Sequence, residues 1–314
     1  MPDPVVHASF GREVLSSLPA EIRDTIRPDP YTFALFGPDV WFLYKPLKHL
    51  ARGRAMHTTK TGSFLMALLR QAAASSAREE MFSYLAGFLC HYALDSTTHP
   101  YIISRTALEH VFPRSHMSLE HALDAVVMRR DGYWGQKHPV TSHYFPRVRL
   151  PESIREDVDR VFEQVYGWQH CWADMNRSYQ RYRACFRLME PPRGLAVGIT
   201  RLTGKDVLKS VTYARSHFHN LDPENSAHRT WVNPYEPDQQ SSESFPEMRS
   251  RALSAAVGMI RAVYDFLFNG TVTEESVAAV IGNRSYLSGL PWEDPRNLRV
   301  KSLLPPGADE TEAP

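Results

Sequence analysis

Within the run CHYALDSTTHP, residues 90–100, His91, Asp95 and His99 stand four residues apart in an otherwise apolar helical pattern. Four residues are about 400° of helix, so the three side chains drift only about 40° per step and share one face, roughly 6 Å apart along the axis. Such a face cannot be buried unless its charges share a partner. Seventeen residues after His99, His116 and Glu120 form a second i, i+4 pair, which opens an amphipathic stretch carrying Leu119, Leu123, Val126 and Val127. Pro100 and Pro113, between the two pairs, offer places for the chain to turn back so that the pairs face each other.

Taken singly, each of these residues has an ordinary explanation. A histidine on an apolar helix is usually a hydrogen-bonded core residue, an aspartate four residues on can accept its N–H, and His116 with Glu120 can be a solvated pair. Two ladders in succession call for a common cation. Three cysteines, Cys90, Cys171 and Cys185, show no CxxC spacing, which argues against a disulfide framework and against thiolate ligands. A metal must then be held by nitrogen and oxygen, for which 14 histidines are available.

Apolar residues recur at three and four over Phe10 to Ile26, Phe64 to Arg78, Glu80 to Leu94, Met117 to Arg130, Ile154 to Trp168, Cys171 to Met189 and Phe245 to Phe268. The expected fold is all-α. Pro19 and Pro113 fall near helix starts, while Pro28, Pro30, Pro38, Pro46, Pro139, Pro146 and Pro151 punctuate connections. Residues 191–244 mix glycine, apolar residues and polar turn formers, and 301–314 read as a flexible tail. The expectation is one mostly helical domain over 1–300, with its ligands in 7–120 and a C-terminal subdomain over 150–300 as the alternative.

A 43% apolar content suffices for a substantial core, and a formal charge of +1 gives no broad field for nucleic acid. The N-terminus shows no basic segment followed by an apolar run, and no stretch approaches the roughly 18 apolar residues of a membrane span. A cytoplasmic protein without a transmembrane segment is expected, with any membrane contact peripheral and the oligomeric state open.

The run YLAGFLCHYALDSTTHPYI followed by SHMSLEHALD resembles the core of the zinc-dependent phospholipase C family, whose helical fold is shared with single-strand-specific zinc nucleases. His7 in VVHASFGREVL, Asp39 in FALFGPDVWF and His57 in RAMHTTKTG extend the resemblance to an ordered set of five histidines and three acids. The WVNPYEP segment near Trp231 is similar to the bacterial branch without an export signal. The resemblance implies Zn2+ as cofactor: one zinc on His57, His91 and Asp95, a second on His99, His116 and Glu120, and a third beside Asp95 supported by His7. It gives Asp39 the catalytic part of orienting or deprotonating water; as a residue of a Gly-Pro-Asp turn, Asp39 has a plainer reading.

Three departures accompany the resemblance. Secreted members also hold the third zinc through an N-terminal tryptophan, whereas this chain begins Met1-Pro2 and has no tryptophan before Trp41. The interval from Asp95 to His99 is shorter than in those enzymes. The choline-binding aromatics have no match, since Val40 follows Asp39 and Arg54 precedes His57 by three, so a phosphatidylcholine preference is not implied. Trp41, Phe42 and Tyr44 can line a cleft or pack in the core. His110, His121, His138, His143, His170, His217, His219 and His228 fit no ladder and are assigned surface or packing roles, with His228, beside Trp231 and Asn233, the one candidate to approach the site.

The expected activity is hydrolysis of a phospholipid or related small phosphodiester, with no obligatory nucleic acid partner. Single-strand nuclease activity and an inactive metal-stabilised binding module are the alternatives, separated by base-stacking platforms and by open zinc positions respectively.

Overall fold

The computed structural model describes residues 4–44, 51–108, 116–133, 143–189 and 222–298. Pro46, Pro113, Pro139, His110, His138, His217, His219 and the 301–314 tail lie outside these residues, as does most of the difficult stretch from 191. The regular elements of the described chain are helical apart from one short antiparallel hairpin, β1 (Trp231–Asn233) and β2 (Glu236–Ser241).

The helix α6 (Arg78–Ile103) is the axis of the structure, and every residue from Met81 to Ile103 is buried. Its apolar side chains lie on all sides rather than on one stripe, so it can be satisfied only by being surrounded. Four helices supply most of that surround: α1 (Pro4–Ser17), α3 (Pro28–Ala34), α5 (Thr61–Ala74) and α10 (Phe245–Tyr264). Between them come α2 (Ala20–Thr25), a 3-10 helix (Gly37–Leu43), α4 (Ala51–Thr58), α7 (His116–Arg130), α8 (Arg155–Tyr166) and α9 (Cys171–Met189). The last helix, α11 (Glu274–Ile281), packs on α10 and α5. One apolar cluster runs from Val5 to Tyr286.

Local chemistry explains the helix starts. Ser244 and Glu247 form a reciprocal capping box ahead of α10, with Pro246 in its first turn. Thr273 caps α11 by accepting the N–H of Ser276 at 3.3 Å. The first turn of α1 is held from outside: the N–H groups of Val5 and Val6 donate to the carboxylate of Asp124 on α7, at 3.3 and 2.8 Å.

Three expectations about proline and helix limits are corrected. Residues 10–26 form two helices, because the chain breaks at Leu18-Pro19 between α1 and α2. Pro28 and Pro30 do not interrupt a connection but sit in the first turn of α3, where a missing N–H costs nothing. Pro100 does not turn the chain: α6 continues through it to Ile103 and into a π-helical turn, Ser104–Leu108. The price is a Ser96 carbonyl without its N–H partner four residues on. Among the described residues no helix is long and apolar enough to cross a membrane.

Asp124 is fully buried, so its replacement leaves two donors of α1 stranded. Asp124→Ala is expected to lower stability by about 1–3 kcal/mol, read as a shift of the urea unfolding midpoint. A wild-type midpoint would show that the start of α1 is held by other means.

Candidate metal centre

Five elements deliver the eight residues singled out in the sequence: α1 carries His7, the 3-10 helix Asp39, α4 His57, α6 His91, Asp95 and His99, and α7 His116 and Glu120. Seven of the eight are at most 5% exposed. His116 keeps 31% of its side chain accessible. Asp39 reaches the site because Gly37 has a positive φ of 44° and because a Cβ there would lie 2.5 Å from the His91 ring. The GPD segment is therefore both a turn and the element that presses Asp39 onto α6.

Asp95 stands at the middle. Its Oδ1 is 3.2 Å from His7 Nε2, and its Oδ2 is 2.9 Å from His91 Nε2, 3.6 Å from His99 Nδ1 and 3.8 Å from His57 Nε2. Asp39 faces the same rings, with Oδ1 3.1 Å from His57 Nε2 and Oδ2 3.5 Å from His91 Nε2. On the other side Glu120 Oε1 lies 2.9 Å from His116 Nε2 and 3.4 Å from His99 Nε2. His7 stacks on His91 at 4.0 Å and His99 on His116 at 5.1 Å.

Backbone carbonyls determine which ring nitrogen faces the acids. Nδ1 of His57 lies 2.6 Å from the Gly53 carbonyl, Nδ1 of His91 3.0 Å from that of Leu35, and Nδ1 of His99 3.1 Å from that of Tyr286. A carbonyl can only accept, so each Nδ1 carries a hydrogen and a neutral ring turns its Nε2 lone pair inward. With the ring neutral, His91 Nε2 and Asp95 Oδ2 meet as two acceptors 2.9 Å apart, and neither has a hydrogen-bond partner among the described residues. Asp39 Oδ1, Glu120 Oε2 and His7 Nδ1 are buried in the same condition. Facing lone pairs repel, and a cation between them removes the repulsion.

Among the described residues there are three sets in which the ligand atoms lie within 4.8 Å of one another: His57, His91 and Asp95; His99, His116 and Glu120; and His7, Asp39 and His91. The first two are the triads expected from the sequence. In the third, Asp39 stands within ligand distance of His7 and His91 instead of apart from the cluster. A nitrogen and oxygen donor set of this kind fits zinc.

Electrostatics follow the geometry. Burial alone would raise the Asp95 carboxyl, but His91, His99 and His7 outweigh it and hold the group well below the usual carboxylate range. Glu120 is likewise lowered, with burial opposed by His116 and His99. Burial works to lower His99, yet Asp95 and Glu120 push it up to about 9. His116 is lowered, chiefly by burial.

The remaining described histidines take no part in these sets. His121 is buried in α7, His143 stacks on Tyr133 at 4.1 Å, and His170 holds a positive φ just ahead of α9. His228 is exposed and bonded to the Ser242 carbonyl, so it does not come to the cluster. Trp41 is fully buried against Phe162 and Trp168, whereas the Phe42 ring lies 5.4 Å from His57. Sequence reasoning missed Gly37 and the carbonyls of Gly53, Leu35 and Tyr286. The glycine ahead of Pro-Asp was the only available signal, because every residue has a carbonyl.

With metal removed by a chelator, these shifts give the protein a bell-shaped stability. The His99 contribution is full below its ordinary 6.5 and is lost as pH rises through about 9. Those of Asp95 and Glu120 are full above their ordinary 3.8 and 4.5 and are lost as pH falls below them, His116 having lost its own share first. Urea midpoints of the chelated protein are expected to fall between pH 7 and 10; a flat profile there would contradict the His99 environment.

The description "zinc dependent phospholipase C" belongs to a family whose model matches residues 6–172, more than half of the chain and a span that includes all eight residues. Comparison with curated proteins gives no match, and neither does comparison with solved structures. The helical fold, the nitrogen and oxygen clusters and the matched span lead to one assignment: this chain belongs to the zinc-dependent phospholipase C family.

Proposed function

We propose that the protein is a zinc-dependent phosphodiesterase of phospholipase C type, acting on a phospholipid or a related small phosphodiester. The observation that carries this reading is the convergence of eight ligand-type side chains, with His91 Nε2 and Asp95 Oδ2 buried 2.9 Å apart among them. His57, His91 and Asp95 hold one ion and His99, His116 and Glu120 a second, with His7 beside Asp95 supporting a third position. Bound zinc supplies positive charge to the phosphoryl oxygens and lowers the pKa of water toward neutrality.

The chain's own residues do the rest. Asp39, buried beside His57 and His91, takes up the proton of the attacking water at a carboxylate oxygen. The carbonyls of Gly53, Leu35 and Tyr286 hold the imidazoles of His57, His91 and His99 in place by accepting their Nδ1 hydrogens. Burial keeps bulk water from these charges and so strengthens their fields. The side open to substrate is marked by His116, the most accessible of the eight. Treating 1–300 as one hydrolase domain is supported by the apolar cluster that joins Val5 to Tyr286. A cytoplasmic location fits the free state of Cys90, Cys171 and Cys185.

Two variants and a metal analysis test the proposal. His91→Ala should lose zinc and phosphodiesterase activity together. Asp39→Asn should keep zinc on the two triads and lose activity by a factor on the order of 10² or more. An Asn variant as active as wild type would remove Asp39 from the mechanism. Zinc-loaded wild-type protein that hydrolyses neither phospholipid, single-stranded nucleic acid nor a chromogenic phosphodiester would favour a binding module instead.

A further inference from the structure

All eight ligand-type residues lie between His7 and Glu120, yet one of the groups that orients them comes from far along the chain. The segment that starts at Ile281, the last residue of α11, and runs to Leu290 folds back onto α6 and the end of α4. The Tyr286 carbonyl lies 3.1 Å from His99 Nδ1. The Tyr286 N–H donates to the His57 carbonyl at 3.0 Å, and Ser285 Oγ donates to the same oxygen at 3.3 Å. The Tyr286 ring is buried, with its centroid 5.4 Å from that of His57 and 5.8 Å from that of His91. One residue therefore braces a ligand from each of the two triads.

The segment is seated on α6 at two further points. Tyr92, next to His91 in sequence, donates its hydroxyl to the Ile281 carbonyl at 3.1 Å and accepts the Arg284 N–H at 2.8 Å. Gly289 lies against the Ser96 carbonyl, the one deprived of its helical partner by Pro100. A Cβ at Gly289 would stand 2.5 Å from that oxygen, and its φ is +69°. Two short bonds close the loop on itself, Ser285 N–H to the Leu290 carbonyl at 2.7 Å and Gly289 N–H to the Ser285 carbonyl at 3.1 Å.

We infer that residues 281–290 form a latch whose docking sets the zinc affinity of both triads, with Tyr286 as a positioning residue acting through His99 and His57. This rests on the reading of the cluster as a zinc centre. Outer partners that orient ligating imidazoles are worth about 10- to 100-fold in metal affinity. By linkage, if docking favours zinc, zinc must favour docking to the same extent. The family match ends at residue 172, so the latch lies in a part of the chain beyond it.

The test uses the full chain and zinc itself. Zinc affinity is measured by competition with a chromophoric chelator for wild type, Gly289→Ala, Tyr92→Phe and Thr273→Ala, and hydrogen exchange of peptides covering 281–290 is followed with and without zinc. Gly289→Ala should bind about 10- to 100-fold more weakly, and Tyr92→Phe should shift the same way by less. Thr273→Ala loosens the start of α11 without touching the latch and should keep wild-type affinity. Zinc should slow exchange across 281–290 in the wild type. Equal exchange in the two states, or wild-type affinity in a Gly289→Ala protein whose latch exchanges freely, overturns the inference. A wild type that binds no zinc overturns the metal centre itself, a result distinct from unchanged affinity in the variants.

Discussion

A carboxylate at the centre of a helix buried on all sides is the constraint from which the rest of this structure follows. Asp95 is 2% exposed and is surrounded by imidazoles from two other points of the chain, His7 and His57, and by two on its own helix, His91 and His99. Removing such a charge from water costs several kcal/mol, and the histidines offset this only where they present hydrogens to it. His57 and His91 are held by backbone carbonyls at Nδ1, so when their rings are neutral the Nε2 atoms they turn toward Asp95 are acceptors. A donor set of this kind fits a cation.

The same requirement accounts for the placement of elements that otherwise look irregular. The 3-10 turn at Gly37 exists at a separation that excludes even a methyl group, and it brings a second carboxylate, Asp39, against the same rings. The tertiary cap that Asp124 gives α1 fixes the start of the helix that carries His7. Pro100 interrupts the hydrogen-bond ladder of α6 just past His99, and the backbone that settles there belongs to the segment bracing His57 and His99. Local losses in α6 are thus placed where a neighbouring element makes use of them.

The chemistry of the centre was legible in the sequence because side-chain identity and helical spacing are written there directly. His91, Asp95, His99, His116 and Glu120 come together as their intervals require, and the class of fold follows from apolar residues recurring at three and four. Smaller elements were not legible. The helix α4, ARGRAMHT, has too few apolar residues to show a period, and α3 begins with two prolines that read as connection. The strand Glu236–Ser241 is polar and mostly exposed, so it has no alternation to display. The braces of the site were invisible for a different reason. They are carbonyls, and only the path of the backbone decides which residue provides one, as with Tyr286, more than 160 residues beyond the last ligand-type side chain.

Anomalous diffraction at the zinc edge, from crystals grown with zinc, tests the central claim most directly. The account predicts ions between His57, His91 and Asp95 and between His99, His116 and Glu120, at about 2.0–2.2 Å from nitrogen and oxygen ligands, with no sulfur from Cys90, Cys171 or Cys185. Crystals in which those two positions carry no anomalous signal, or in which zinc is found only at outlying histidines such as His143 and His228, would contradict it.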